Sequence, residues 1–210
     1  MIKILVADDH AVVRQGVKQI LAEVKDMTVK DEAQNGTETL TKVTERDFDV
    51  VLLDISMPGR SGLEVLEDIK ARRPKLPVLI LSMHPEEQYA VRALRAGASG
   101  YLTKASAPQE LIGAIRKVAG GGKYVTVSLA EKLADELESD TGKQPHERLS
   151  NREHQVMLML AEGKSVSDIA EDLCLSVKTI STYRTRVLSK MGMKKNAELT
   201  LYAVHNKLIA

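Results

Sequence analysis

Several features are scarce in this chain of 210 residues, and each scarcity narrows the classes of protein it can belong to. A single cysteine, Cys174, excludes an internal disulfide and favours a reducing compartment. Its neighbours Leu173 and Leu175 predict that the thiol is a small buried group. No apolar stretch approaches the roughly 20 residues that span a bilayer, and the start of the chain does not resemble a signal peptide. We therefore expect a soluble cytoplasmic protein with no membrane partner.

The chain as a whole also has almost no excess of one sign of charge, because 30 basic and 29 acidic side chains leave a net charge of +1. The distribution is nevertheless uneven. Residues 1–120 hold 17 basic and 17 acidic side chains, and residues 121–147 hold three and six. Residues 148–210 hold ten basic and six acidic side chains, a net charge of +4. A polyanionic partner would therefore bind the C-terminal end.

Short apolar runs alternate with helical periodicity in the first part of the chain, which is typical of parallel strands buried on both faces. Five strand–helix units predict an α/β domain over residues 1–120, a doubly wound five-stranded parallel sheet of flavodoxin-like order. A part-helical, acidic linker is expected over residues 121–147, with a flexible segment at Asp140-Thr141-Gly142. Residues 148–210 predict a small all-α domain of four helices containing a helix-turn-helix.

Individual helices are predicted from apolar residues at helical spacing and from capping residues. Ser150 and Glu153 form a capping-box pattern at the first helix of the C-terminal domain, and Ser176 is a suitable N-cap for the third. The first helix of the chain carries the periodic set Val12, Val13, Val17, Ile20, Leu21 and Val24. The last helix starts near Asn196 and carries Leu199, Leu201 and Val204.

Phosphate-handling side chains follow four of the predicted strands. They are Asp8 and Asp9 after the first, and Asp54, Ser82 and Lys104 after three later ones. Because the carboxyl ends of parallel strands meet at one edge, we expect these side chains to converge. Three crowded carboxylates repel one another and call for a cation, and oxygen ligands of this kind suit Mg²⁺.

Phosphoryl transfer needs in-line placement and charge stabilisation. Asp54 stands alone after the central strand, so it is the expected nucleophile, which would form an acyl phosphate. Lys104 would neutralise phosphate oxygen as a point charge, and Ser82 would donate one hydrogen bond.

A second candidate site lies near the C-terminus, where no acidic residue occurs between Leu173 and Ala197. Six basic residues fall in that stretch: Lys178, Arg184, Arg186, Lys190, Lys194 and Lys195. A solvated basic helix face would explain them, but the second helix of a helix-turn-helix favours a DNA-binding surface. Predicted phosphate contacts are Lys178, Arg184, Arg186 and Lys190, and predicted base contacts are Ser181, Thr182 and Thr185. Thr179 completes the predicted set, whereas Tyr183 is expected to pack.

The N-terminal motifs resemble the receiver domain of bacterial two-component response regulators. The motifs are Val6-Ala7-Asp8-Asp9, Leu53-Asp54-Ile55-Ser56-Met57-Pro58-Gly59, Leu81-Ser82 and Tyr101-Leu102-Thr103-Lys104. The resemblance implies that Asp54 accepts a phosphoryl group from a sensor histidine kinase. It also implies Mg²⁺ ligation by Asp9, Asp54 and the Ser56 backbone carbonyl, with Asp8 acting through water.

The same resemblance implies further roles within the receiver. Ser82 and Tyr101 would form a switch pair, and Lys104 would contact the phosphoryl group. Ser56 and His84 would tune how long the phosphoryl group persists.

The C-terminal motifs resemble the LuxR-type DNA-binding domain. They are Leu149-Ser150-Asn151-Arg152-Glu153, Ile169-Ala170-Glu171-Asp172-Leu173 and Ser176-Val177-Lys178-Thr179-Ile180. The whole chain is thus similar to a NarL/FixJ-type response regulator, a bacterial transcription regulator rather than an enzyme. Binding of double-stranded promoter DNA and homodimerisation on phosphorylation are implied. Where the family often carries Lys or His on the recognition helix, this chain has Ser181, Tyr183 and Thr185, so its target sequence is not predicted.

Two other readings remain at this point. A haloacid-type phosphatase also uses an aspartate nucleophile with Mg²⁺, but that nucleophile ends the first strand in an Asp-x-Asp arrangement. Here Asp8 and Asp9 are adjacent, and residues 148–210 would have no purpose. The other reading is a regulator that works through protein contacts without phosphorylation, which the intact set of acids disfavours.

Overall fold

The computed structural model describes residues 1–138 and 144–209. Chain contacts divide it into two compact units, Met1–Leu133 and Ala134–Ala210. The division falls inside one helix of the predicted linker, and the boundaries expected at residues 120 and 147 stay predictions. The segment Asp140-Thr141-Gly142, expected to be flexible, lies outside the described residues.

The N-terminal unit alternates strands and helices throughout its first 119 residues. The strands are β1 Ile2–Ala7, β2 Met27–Ala33, β3 Val50–Leu53, β4 Val78–Ser82 and β5 Gly100–Thr103. The helices are α1 Ala11–Ala22, α2 Gly36–Glu45, α3 Gly62–Arg72, α4 Glu86–Arg95 and α5 Pro108–Ala119. All strand pairs are parallel, in the order β2-β1-β3-β4-β5. The predicted doubly wound, flavodoxin-like sheet is confirmed.

The core of this unit forms because the central strands bury both of their faces. Every residue of β3 and β4 is buried. One face of the sheet packs on α1 and α5, through residues such as Leu21 and Ile115. The predicted first helix is present, but Val12 is 85% exposed, because it lies on the side of α1 away from the buried stripe of Val17 and Leu21.

Helix α6 follows over Val127–Glu138, and a 3₁₀ turn covers Pro145–Arg148. The C-terminal unit then contains α7 Asn151–Ala161, α8 Val166–Asp172, α9 Val177–Met191 and α10 Asn196–His205. No described helix combines the length and hydropathy that crossing a membrane requires.

Capping fixes where the C-terminal helices start. The Ser150–Glu153 capping box is confirmed, and Ser176 accepts a hydrogen bond from the Thr179 backbone N–H. On α10, Leu199 is fully buried, whereas Leu201 and Val204 are 73% and 49% exposed.

The expected burial of Cys174 was wrong. This residue is exposed, at a positive φ of 52° in the turn between α8 and α9. Its backbone N–H donates to the Glu171 carbonyl, while Leu173 fills the core position beside it.

Candidate functional sites

The carboxyl ends of four strands bring the predicted phosphate-handling residues to one edge of the sheet. The register aligns Ala7 with Leu53, and Ser82 with Thr103. The chain continues this alignment beyond the strands, because the Asp54 N–H donates to the Ala7 carbonyl at 2.9 Å. The Lys104 N–H likewise donates to the Ser82 carbonyl at 2.7 Å. Residues distant in sequence are thereby held side by side.

Two buried carboxylates share one ammonium group at this edge. Asp8 and Asp54 are 2% and 1% exposed. Lys104 Nζ lies 2.7 Å from Asp8 Oδ2 and 2.9 Å from Asp54 Oδ2. Asp9 is partly exposed beside them, and candidate ligand atoms of Asp8, Asp9, His10 and Asp54 all lie within 4.8 Å of one another. The edge is therefore an acidic cluster with the spacing of a cation site.

The electrostatics of the cluster follow from its burial. Desolvation raises the pKa of Asp54, the Lys104 charge opposes that rise, and the Asp8 charge adds to it. Burial disfavours the Lys104 ammonium, but the two carboxylates outweigh it, so the pKa of Lys104 is raised. The lysine therefore stays charged, and the cluster keeps a negative excess that a cation would neutralise.

Ser82 and Tyr101, the predicted switch pair, are both buried next to this cluster. The Ser82 hydroxyl accepts a hydrogen bond from the His84 N–H at 3.1 Å. The Tyr101 hydroxyl donates to the His84 carbonyl at 2.8 Å, so its ring lies inward. Burial raises the pKa of Tyr101, so the phenol stays protonated and able to donate. Both side chains thus hold the backbone of His84.

Ser56 and His84 contact each other across the mouth of the site. Ser56 Oγ lies 3.0 Å from His84 Nε2, although 28 residues separate them in sequence. The two positions expected to tune phosphoryl lifetime are therefore one hydrogen-bonded pair in this structure.

Sequence reasoning missed His10 as part of the site. Its Nδ1 lies 2.8 Å from Asp9 Oδ1, and its N–H donates to Asp8 Oδ1 at 2.8 Å. The signal available was adjacency to the two acids, but a neighbouring residue commonly begins a helix instead. His10 does occupy the N-cap of α1, without a side-chain cap bond.

Gly62 permits the close approach of α3 to the segment Asp54-Ile55 that follows β3. A Cβ at this position would lie 2.0 Å from the Asp54 carbonyl oxygen and 2.7 Å from the Ile55 Cα. The Gly62 N–H donates to the Ile55 carbonyl at 2.9 Å. The absence of a side chain here is therefore part of how Asp54 is positioned.

The second candidate site is the solvent face of α9. Its buried stripe consists of Ile180, Val187, Leu188 and Met191. Of the predicted DNA contacts, six are exposed: Lys178, Ser181, Thr182, Thr185, Arg186 and Lys190. Thr179, Arg184 and Tyr183 are partly buried. The predicted contacts thus share one helix, and most of them lie opposite its core stripe.

Two of the predicted phosphate contacts are already engaged within the C-terminal unit. Arg184 Nε donates to Asn196 Oδ1 at 2.8 Å. Lys190 Nζ lies 2.6 Å from Glu153 Oε2, whose carboxylate is only 5% exposed. Lys178 and Arg186, by contrast, form no ion pair within the described part of the chain. We expect these two to be the principal phosphate contacts.

Models of known protein families match both the N-terminal and the C-terminal part of the chain. A family model for the "Response regulator receiver domain" matches residues 4–116. A second, for "Bacterial regulatory proteins, luxR family", matches residues 147–203. The chain belongs to the response regulators that join a receiver domain to a LuxR-type helix-turn-helix domain, which confirms the resemblance drawn from its motifs.

Relatives of known identity are similar over nearly their whole length. Response regulator UvrY of Escherichia coli strain K12 is 38% identical over 209 residues, which are 99% of this chain and 96% of that protein. Response regulator GacA of Pseudomonas syringae pv. syringae strain B728a is 38% identical over 210 residues, which are 100% and 98%.

Among solved structures, RcsB of Salmonella enterica serovar Typhimurium is similar to this chain. The complex of RcsB with promoter rprA in the presence of phosphomimetic BeF₃⁻ has a TM-score of 0.67 and 27% identity. The similarity covers 96% of this chain and 97% of that one.

Proposed function

We propose that this response regulator is a DNA-binding transcription regulator switched by phosphoryl transfer from a sensor histidine kinase to Asp54. The observation that supports this most is the contact of Lys104 Nζ with both Asp8 and Asp54 among buried neighbours. A structural ion pair needs one carboxylate, whereas this lysine sits between two in a cluster that also contains Asp9. A cluster with more carboxylates than the one lysine ammonium can neutralise suits phosphoryl transfer.

The proposed chemistry uses Asp54 as nucleophile. Its carboxylate oxygen attacks the phosphorus of a phosphohistidine, and a phosphorus–oxygen bond forms as the phosphorus–nitrogen bond breaks. The donor nitrogen leaves with the bonding electron pair. Lys104 offsets charge on the phosphoryl oxygens, and the Ser82 hydroxyl donates to one of them.

The residues fit a divalent cation. Asp54 Oδ1 is buried and has no hydrogen-bond partner among the described residues, so a ligand atom is left for a cation. We propose that Asp9, Asp54 and the Ser56 backbone carbonyl hold Mg²⁺, with Asp8 acting through water. Bound there, Mg²⁺ would supply charge neutralisation for the incoming phosphoryl oxygens.

The switch would act through Ser82 and Tyr101. A charge-assisted hydrogen bond from Ser82 contributes about 1.5–3 kcal/mol. Moving a two-state equilibrium from 1:99 to 99:1 needs about 5.5 kcal/mol, so one bond is too little. We propose that homodimerisation supplies the remainder, and that phosphorylation frees the recognition helix for a two-fold DNA site.

Helix α9 would bind the major groove. Ser181, Thr182 and Thr185 are short polar side chains that can reach base edges, and Thr179 begins the same surface. Lys178 and Arg186 would bind phosphates, and Arg184 and Lys190 would join them by exchanging their present partners. A chromosomal target of this kind also supports a cytoplasmic location.

The phosphorylation step is tested by mass spectrometry of the full chain incubated with acetyl phosphate and Mg²⁺. One added phosphoryl group on the peptide containing Asp54 is expected, and none on the matched Asp54→Asn variant. A wild-type chain that takes up no phosphoryl group, or takes it up at another residue, would overturn the proposal. Steady turnover of p-nitrophenyl phosphate would instead favour the phosphatase reading.

A further inference from the structure

Arg14 donates a hydrogen bond to the backbone of the acidic cluster, at the Asp8 carbonyl. This residue of α1 is 8% exposed, so its guanidinium is largely removed from water. Its Nη1 donates to the Asp8 backbone carbonyl at 2.7 Å, and its Nε donates to Glu32 Oε2 at 3.1 Å. One planar group therefore ties the loop that carries the acids to strand β2.

Strand β2 anchors both backbone polar groups of Asp8. The Asp8 N–H donates directly to the Ala33 carbonyl at 3.0 Å. The Asp8 carbonyl is held through Arg14 and Glu32, the residue next to Ala33. The peptide groups on either side of the Asp8 side chain are thus fixed, and its two carboxylate oxygens contact the His10 N–H and Lys104 Nζ.

Glu32 is a suitable anchor because it stays ionised. A hydrogen bond from Lys18 lowers the pKa of Glu32, burial partly opposes it, and Arg14 lowers it further. Lys18 Nζ lies 2.7 Å from Glu32 Oε1 and, among the described residues, forms no hydrogen bond or ion pair with the Asp8-Asp9 loop. Arg14 and Lys18 therefore share one partner and differ in whether they contact Asp8.

We propose that Arg14 is a positioning residue for the phosphorylation site, orienting the Asp8-Asp9 loop for cation binding through its bond to the Asp8 carbonyl. The inference rests on the proposed function and names a residue outside the acid, hydroxyl and lysine set. Partners of this kind, one step removed from the ligands, typically change metal affinity by about 10-fold to 100-fold when removed.

A positioning role and a purely electrostatic role of Arg14 predict opposite changes in cation affinity when Arg14 is removed. Its positive charge lies near the acids, so removing the charge alone would make a cation bind more tightly. If the guanidinium instead fixes the loop, its removal lets the carboxylates depart from the ligand geometry and the cation binds more weakly. The direction of the change therefore separates the two explanations.

The test is a titration of the full chain with MgCl₂ at constant ionic strength, followed by backbone amide NMR shifts of residues 8, 9 and 54, without phosphodonor. For Arg14→Met, we expect the Kd for Mg²⁺ to rise about tenfold. The matched control Lys18→Met removes the same charge from the same carboxylate and is expected not to weaken Mg²⁺ binding. Unchanged or tighter binding by Arg14→Met would overturn the proposal, as would equal weakening in both variants.

A second variant covers the case in which Arg14→Met does not fold. Arg14→Lys keeps the charge, but one ammonium does not reproduce the fork that bonds Glu32 and Asp8 together. Weaker Mg²⁺ binding is expected, and wild-type affinity would overturn the proposal. A wild type that neither binds Mg²⁺ nor accepts a phosphoryl group would instead refute the proposed function.

Discussion

The two candidate sites differ in how the chain builds them. The receiver site is assembled from four strand ends, and its central carboxylates and ammonium are buried and paired. The proposed DNA-binding site lies on one continuous helix, and most of its side chains are exposed to solvent. A buried, assembled site tolerates few changes because each group restrains another, whereas an exposed helix face can vary its residues without changing the fold. Substitutions at the two sites should therefore differ in how much they affect stability and binding.

The largest effect is expected where the backbone approaches most closely. Gly62→Ala would bring a methyl group within 2.0 Å of the Asp54 carbonyl oxygen, so α3 or β3 must shift. We expect a loss of about 1–3 kcal/mol in the free energy of unfolding, measured by urea denaturation, and a fall in phosphoryl uptake. Gly16→Ala is the matched control, because an added Cβ there would have no heavy atom within 4 Å apart from its chain neighbours and the nearby backbone of its own helix. Equal behaviour of the two variants would show that the close approach is unimportant.

Loss of Lys178 or Arg186, which form no ion pair among the described residues, should change DNA binding without changing the fold. Lys178→Ala and Arg186→Ala are each expected to weaken binding and to reduce the salt-dependence slope by about 1, because each removes one phosphate contact. Fluorescence anisotropy with a duplex selected from a random pool measures both quantities. Wild-type affinity and slope in both variants would remove these residues from the contact surface.

Lys190→Ala, in the same helix, should lower stability more than Lys178→Ala does and change DNA binding less. It leaves the nearly buried Glu153 carboxylate without its 2.6 Å partner. Because Lys190 itself is 44% exposed, we expect a stability loss of only roughly 1 kcal/mol. The change in salt slope should be smaller than for Lys178→Ala, measured on the same duplex. A slope change as large as that of Lys178→Ala, with unchanged stability, would contradict the structural role.

The smallest effect concerns the burial of Asp54. Its folded-state pKa is raised by desolvation, so its stabilising contribution is present at low pH and lost as the pH rises through the folded-state value. Asp54→Asn, which never ionises, should therefore gain thermal stability relative to wild type as the pH rises above the ordinary carboxyl pKa of about 4. The gain should vanish below the ordinary carboxyl pKa of about 4. If the Lys104 charge outweighed burial instead, Asp54→Asn would be less stable than wild type near pH 7, and the deficit would shrink as the pH falls.

The sequence predicted those parts of the structure that more than one sequence feature indicated independently. Strand ends carrying Asp54, Ser82 and Lys104 followed from apolar runs and from the parallel topology, which permits one arrangement of those ends. Cys174 was predicted wrongly, because its apolar neighbours indicated burial while the turn geometry put it outside. The positions of His10 and Arg14 depend on side-chain directions across α1 and β2, which periodicity alone does not determine.

The helix that we propose binds DNA was likewise predictable only in part. Its buried stripe and its cap at Ser176 followed from spacing. The partners of Arg184 and Lys190 did not, because Asn196 and Glu153 lie on other helices and reach α9 only in the folded unit.

The most direct test of the central claim is the affinity of the full chain for its selected duplex, with and without acetyl phosphate and Mg²⁺, in wild type and in Asp54→Asn. The account predicts that phosphodonor tightens binding of wild type and shifts it toward a dimer, while the variant stays at the untreated affinity. Equal affinity of treated wild type and treated Asp54→Asn would contradict it.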